Sequence, residues 1–403
     1  MKKTRQKYNG ILLLGLLLAF GLAGCGRIGT DTPATSLPTS TQIMEAMVTQ
    51  ESVVFPVEIT DATFPEEVLR KKAQAADTDA DGVLREEEAK TVTKLHLKKL
   101  ADADAKEDRE GEPLPEYTSE DFFFDFEGIQ YFTELSELTV NLLGGEAFVE
   151  GKTEEILVVT KNFSRISECT KMKTLSLYEV DAKSLDISVF PNLKRLDLND
   201  MYNLESVETG THKKLSALWI FECHKLEVLD VSGLGELKTL DIVQNEGLKR
   251  IGFGDANRKL ETIQLNGLPN LTEAEVSCLE HLKSLNLAEV GLTSLDVSGN
   301  TELVQLCAEG LRLDVLDLRK NPNISYLINA KDSFRSIIFP AENCVSMIRW
   351  TDSSVTEFPV KNLNTDTLTG IDIQGTAIKE LDVSGYPKLE YLYYDEEVTK
   401  IKR

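Results

Sequence analysis

Apolar residues along the chain recur in the pattern Leu-x-x-Leu-x-Leu, with central positions at Leu175, Leu196, Leu218, Leu240, Ile263, Leu285 and Leu306. The intervals are 21, 22, 22, 23, 22 and 21 residues. A near-constant period in the twenties marks a solenoid, in which each repeat buries its apolar side against its neighbours. Within each repeat apolar and polar residues alternate, as a strand with one buried face requires. A second pattern lies about half a repeat away: Leu185-Asp186-Ile187-Ser188, Leu229-Asp230-Val231-Ser232, Leu295-Asp296-Val297-Ser298 and Leu381-Asp382-Val383-Ser384. Each coil is therefore expected to carry two extended segments, one per face, joined by turns.

Ahead of the repeats runs Asp77-Thr78-Asp79-Ala80-Asp81-Gly82-Val83-Leu84-Arg85-Glu86-Glu87-Glu88. It fits the EF-hand loop, with acids at positions 1, 3, 5 and 12, Gly at 6 and an apolar residue at 8. Calcium is a hard cation that wants six to eight oxygens. Asp77, Asp79 and Asp81 would supply carboxylates, Val83 its carbonyl and Glu88 a bidentate pair, while Gly82 permits the sharp turn. Pro65-Glu66-Glu67 suits the start of an incoming helix, and Glu86 onward can begin an outgoing one. Arg85 puts a positive charge where a ligand or bridging water usually sits, which predicts weak affinity. Asp102, Asp104 and Asp108 do not form a second loop, because Lys106 takes the third ligand place. One structural ion is expected.

The amino terminus carries Lys2, Lys3, Arg5 and Lys7, then an apolar run from Ile11 to Leu22. That is the make-up of a secretory signal, too short to span a bilayer comfortably. Its end, Leu22-Ala23-Gly24-Cys25, resembles a bacterial lipobox. The resemblance implies cleavage before Cys25 and lipid on its sulfur; more than one acyl chain, at about 0.8 kcal/mol per buried CH2, gives stable anchoring. The Thr-, Ser- and Pro-rich stretch that follows buries too little to offset ordering entropy, so it reads as a tether reaching roughly 25 to 30 Å.

The repeats resemble those of secreted bacterial leucine-rich-repeat proteins, notably the short-repeat kind whose second half reads Leu-Asp-Leu or Leu-Asp-Val. The stretch Leu215-x-x-Leu218-x-Ile220-x-x-Cys223-x-x-Leu226 carries the likeness, with Cys223 and Asn245 where such coils place an inward Asn or Cys that bonds turn backbone. Gly128-Ile129-Gln130-Tyr131-Phe132-Thr133-Glu134-Leu135 looks like the entry to the first full coil in members with an EF-hand ahead of their repeats. The resulting division is 1–24 lipoprotein signal, 25–55 tether, 56–100 small helical EF-hand-like unit, 101–127 acidic and aromatic insertion serving as cap, and 128–403 β-rich solenoid. The spacing fails at residues 144–161 and 334–364, where insertions or a degenerate coil are expected. Phe122, Phe123, Phe124 and Phe126 are the expected lid on the open first coil.

Composition narrows the function. A formal charge of −23 disfavours nucleic acid and anionic lipid surfaces, so the membrane is expected to be reached through the lipid anchor alone. With Cys25 lipidated, Cys169, Cys223, Cys278, Cys307 and Cys344 remain, expected as buried free thiols with one disulfide possible. The four His show no catalytic context. Residues between the inward leucines face out on the concave strand. Tyr178, Arg195, Trp219, Phe221 and Asp241 are the candidate binding residues, the large aromatics and Arg having the composition of a hot spot. The expected protein is a monomeric, non-catalytic, adhesin-like binder of a protein, peptide or glycan in the bacterial cell envelope. The alternatives are an envelope hydrolase or a purely structural scaffold.

Overall fold

The computed structural model describes residues 53–100, 123–143, 145–149, 152–156, 158–331, 333–358, 360–361, 363–397 and 399–402. The signal, Cys25, Phe122 and most of the tether lie outside these residues.

Thirteen parallel strands form one long sheet, from Lys94–Leu100 to Tyr391–Tyr393. All seven repeat positions read from the sequence pair in direct register: Leu175, Leu196, Leu218, Leu240, Ile263, Leu285 and Leu306. Leu95 and Leu138 extend the column before them, and Leu327, Ile348, Ile371 and Leu392 after them. From Leu95 to Ile371 every member of this column is at most 1% exposed. The repeat period is thus the chain length needed to bring one leucine back beside the last. Among the described residues no helix is long and apolar enough to cross a membrane.

Two boundaries differ from expectation. The ladder starts at Lys94, inside the segment assigned to the helical unit, because Leu95 and Leu97 are needed to cover Leu138 and Val140. In the described part of 334–364 the coil is regular: strands Phe334–Ile338 and Met347–Thr351 keep their ladders. Its register is hard to read because Trp350, fully buried, takes an inward position that Leu, Ile or Val fills in the earlier coils, while Ala308 and Asn329 fill the equivalent positions just before it. At 144–161 an insertion is present, an antiparallel hairpin of Gly145–Val149 and Lys152–Ile156.

On the opposite side the strands are short and pair locally, as in Ser184–Asp186 with Ser206–Glu208 and Val228–Asp230 with Arg250–Gly252. The Leu-Asp-x-Ser motif has a turn role there. Asp186, Asp230, Asp296 and Asp382 each accept the N–H of the Ser two residues on, at 2.8 to 3.0 Å. Such Asx turns bend the chain back toward the long sheet.

Many of the described long-sheet strands end in or run into a left-handed residue. Glu179, Asp200, Glu222, Gln244 and Glu289 have φ between 51° and 54°. A side chain in this region costs roughly 1 kcal/mol. In return the N–H groups of Glu179, Asp200, Glu222 and Gln244 reach carbonyls at the end of the next strand, at 2.8 to 3.0 Å.

Several backbone groups inside the coil are met by side-chain amides and one imidazole. Asn245, fully buried, accepts the Cys223 N–H at 2.8 Å and donates to Ile220 O at 2.9 Å and Val243 O at 2.8 Å. At the other bend, His212, Asn257, Asn300 and Asn321 reach carbonyls of the preceding coil at 2.7 to 2.8 Å. The amino end is closed by aromatic rings: Phe64, Phe124, Phe126 and Phe132 are fully buried, with Phe124 and Phe126 centroids 4.8 Å apart. Phe123, by contrast, is half-buried with the Lys161 ammonium 4.0 Å from its ring.

Replacing Asn245 by Ala leaves the buried Cys223 N–H without its partner and removes one hydrogen bond each from Ile220 O and Val243 O. The expected loss is about 2 to 4 kcal/mol, read as a lower urea midpoint. An unshifted midpoint would show that the bend does not depend on this amide.

Candidate functional site

The calcium candidate is a loop between helix Glu67–Ala76 and the single helical turn Glu86–Ala89. The outgoing helix is shorter than expected, because Thr91 already bonds Glu88 O and the chain then extends into the first long-sheet strand. Leu84 turns into the core, fully buried, and Val83–Leu84 pairs antiparallel with Val57–Glu58. Gly82, at φ 82°, lets its N–H donate to Asp77 Oδ2 at 2.9 Å. Carboxylate oxygens of Asp77, Asp79 and Asp81 lie within 4.8 Å of one another. Asp77 Oδ1 is buried without a hydrogen-bond partner.

Of the two other expected ligands, Val83 lies on the short strand described above and Glu88 is engaged elsewhere. Glu88 Oε1 accepts the Thr78 N–H and hydroxyl, each at 2.8 Å, and its Oε2 accepts the Arg85 N–H at 3.0 Å. Arg85 bridges to Asp79 at 3.1 Å and to Asp81, occupying the mouth of the acidic cluster. These bonds hold the Asp81 and Glu88 carboxyls below their usual range, through Arg85 for Asp81 and backbone N–H donors for Glu88. The donor set fits a hard cation at Asp77, Asp79 and Asp81. Arg85 is the competing charge.

On the long-sheet face, the 22-residue register brings the five predicted residues onto four consecutive strands. Asp197, Trp219 and Asp241 are direct cross-strand neighbours, with Trp219 in the middle. Arg195 reaches across from the Asp197 strand and sets its guanidinium 4.0 Å from the Trp219 ring centroid. The ring is therefore half-buried and partly covered by Arg195, where the sequence suggests an open aromatic. Phe221 is half-buried on the same strand. Tyr178 lies one strand further back and donates its hydroxyl to Asp197 Oδ2 at 3.0 Å, away from Trp219.

Asp197, not among the candidate residues read from the sequence, is 8% exposed and links Tyr178 to Arg195, 3.6 Å away. The repeat register is the signal that finds it, since it falls directly beside Trp219. Burial, with Asp197 beside it, pushes the Tyr178 phenol up. Asp241 has no such partners. Burial first and then the nearby Asp197 charge raise its carboxyl to about 6, and its Oδ1 is enclosed without a hydrogen bond.

A second patch was missed because it spans the stretch whose register is hard to read. Tyr326, Met347, Arg349, Asp372, Tyr391 and Tyr393 share the face on neighbouring strands. Arg349 pairs with buried Asp372 at 3.1 Å, and Tyr391 and Tyr393 are exposed.

The thiols depart in part from expectation. All five described cysteines are free, but only Cys169 and Cys223 are buried, and burial pushes both up to about 12. Cys278 and Cys307 are half-buried and Cys344 is exposed, because they sit at bends or on the outward column of the sheet.

A family model described as Zer-1-like leucine-rich repeats matches residues 184–310. No curated protein matches the chain in sequence. Among solved structures, the chain is similar to the functional domain of InlJ from Listeria monocytogenes, at 18% identity over 86% of this chain and 72% of that one, with a TM-score of 0.53. It is also similar to the internalin InlF of the same organism, at 16% identity over 87% of this chain and 94% of that one, with a TM-score of 0.50. The fold is a leucine-rich-repeat solenoid of about 22-residue coils.

Asp241 yields a stability prediction. A carboxyl raised from 3.8 to about 6 in the folded chain contributes stability that is full below pH 4 and lost as pH rises through 6. Asp241→Asn is therefore expected to stabilise at pH 7 by about 1 to 2 kcal/mol, allowing for partial solvent screening. The gain should vanish at pH 4 in paired thermal melts. Equal gains at both pH values would show that charge burial at Asp241 is not the cause.

Proposed function

We propose that the protein is a non-catalytic binding protein of the bacterial cell envelope, anchored by lipid on Cys25, that holds a protein, peptide or glycan on its long-sheet face. The observation that carries this is the cluster of Arg195, Trp219 and Phe221, placed on a stiff parallel sheet by the coil register. Rigid aromatic and Arg side chains lose little entropy on binding and dominate interface energetics. The secretory pattern and lipobox-like Leu22-Ala23-Gly24-Cys25 support display outside the cytoplasm. A hydrolase would need two carboxylates facing each other across a cleft. Asp197 and Asp241 are instead separated by the strand that carries Trp219, which favours binding.

The test is capture from envelope and host extracts with the soluble chain lacking its first 50 residues, followed by titration of the captured partner. Trp219→Ala is expected to weaken that partner by about 1 to 3 kcal/mol without moving the melting temperature. An unaltered affinity would remove this face from consideration.

One calcium ion would be held by Asp77, Asp79, Asp81, the Val83 carbonyl and Glu88. The convergent Asp oxygens and the unpartnered Asp77 Oδ1 support it. When bound, the ion ties the loop together and fixes the helix that packs beneath the first coil. Calorimetry should show calcium heat in the parent, none in Asp77→Ala or Glu88→Ala, and on the order of tenfold tighter binding in Arg85→Ser, where a competing charge is gone. Identical heats in all four proteins would overturn the assignment.

A further inference from the structure

Asp241 stands apart from the other acids of the long-sheet face. Asp197 has Tyr178 and Arg195, and Asp372 has Arg349. Asp241 is half-buried beside Trp219, and its Oδ1 is sealed from water with no donor. On the next strand the Oδ1 of Asn266 is likewise enclosed and unpaired. Two acceptors on neighbouring strands thus lack donors within this chain. Arg195 lies on the far side of Trp219, stacked on its ring and shared with Asp197. The charged groups on the strands flanking Trp219 and Asp241 are Arg195 and Asp197, while the strand beyond offers only Thr262, Gln264 and Asn266. The local balance is two carboxylates to one guanidinium.

Resting on the binding role argued above, we propose that Asp241, Asn266 and the Trp219 and Phe221 rings form a subsite for one arginine side chain of a protein partner. A guanidinium supplies planar N–H donors for two acceptors, carries the missing positive charge, and packs its flat faces on aromatic rings. Arg195 against Trp219 shows that this ring accepts such a group at 4.0 Å. An ammonium would satisfy the charge and could donate to both acceptors, but it lacks the planar fork and the flat faces that stack on the rings, so arginine is favoured over lysine. Since Asp241 is raised to about 6, the subsite should be strong at neutral pH and weaken on acidification.

The test uses the full chain and acetyl-arginine-amide, with acetyl-citrulline-amide as the uncharged match of the same shape. The chain has two Trp, and Trp350 is fully buried, so a change in emission reports on Trp219. Expected is a saturable change with the arginine probe at pH 7.5, weakened on the order of tenfold by Asp241→Asn and comparably for citrulline in the parent. The same titration at pH 5 should be weaker in the parent and unchanged in Asp241→Asn. Asn266→Ala, on a separate strand, should weaken binding without removing the pH dependence. Equal responses to arginine and citrulline, or an affinity indifferent to Asp241→Asn, would overturn the assignment. If Trp219→Ala still weakens the captured partner in that event, the subsite alone fails. If neither experiment responds, the binding face itself fails.

Discussion

No coil of this chain can cover its own leucines. The inward side chains of each strand are sealed only by those of the next coil, so burial is shared and the fold exists only as a stack. The column from Leu95 to Ile371 is the physical expression of that constraint, and everything displayed on the outer face inherits its spacing. Trp219 stands between two acids because residues one period apart become lateral neighbours.

Shared burial also explains the polar interior. Each coil must reverse direction twice, and each reversal strands backbone groups away from water. Two solutions recur. Left-handed residues such as Glu222 and Gln244 turn an N–H toward the next strand, while Asn245, Asn257 and His212 bridge coils from within. The first accepts backbone strain and the second accepts burying an amide, and both keep the ladder continuous.

Much of this was legible in the sequence because leucine spacing is a direct image of strand register. The seven central positions and the burial of Phe124 and Phe126 followed from residue type and period, and the inward role of Asn245 and Cys223 from the likeness to leucine-rich repeats. What was not legible depends on side chains that break the pattern while keeping its volume. Trp350 hides a regular coil, since it follows Ala308 and Asn329 in one inward column and three successive residues there depart from the Leu and Ile that mark the register. The same limit hid the Tyr326 and Arg349 patch. At Trp219 the pattern told which way the residue faces but not that Arg195 would lean across it. In the acidic loop, ligand spacing was plain, whereas the engagement of Glu88 by Thr78 and Arg85 is a matter of rotamers.

The hairpin at Gly145–Val149 and Lys152–Ile156 leaves the strands on either side of it in step: Leu138 still meets Leu175. What the stack measures is therefore the return of a strand to its place, and the amount of chain spent on the way is free. Bends of this kind are points where whole segments can be grafted or exchanged in the course of divergence, so new surface can be tried out at one rim while the rest of the molecule stays as it was.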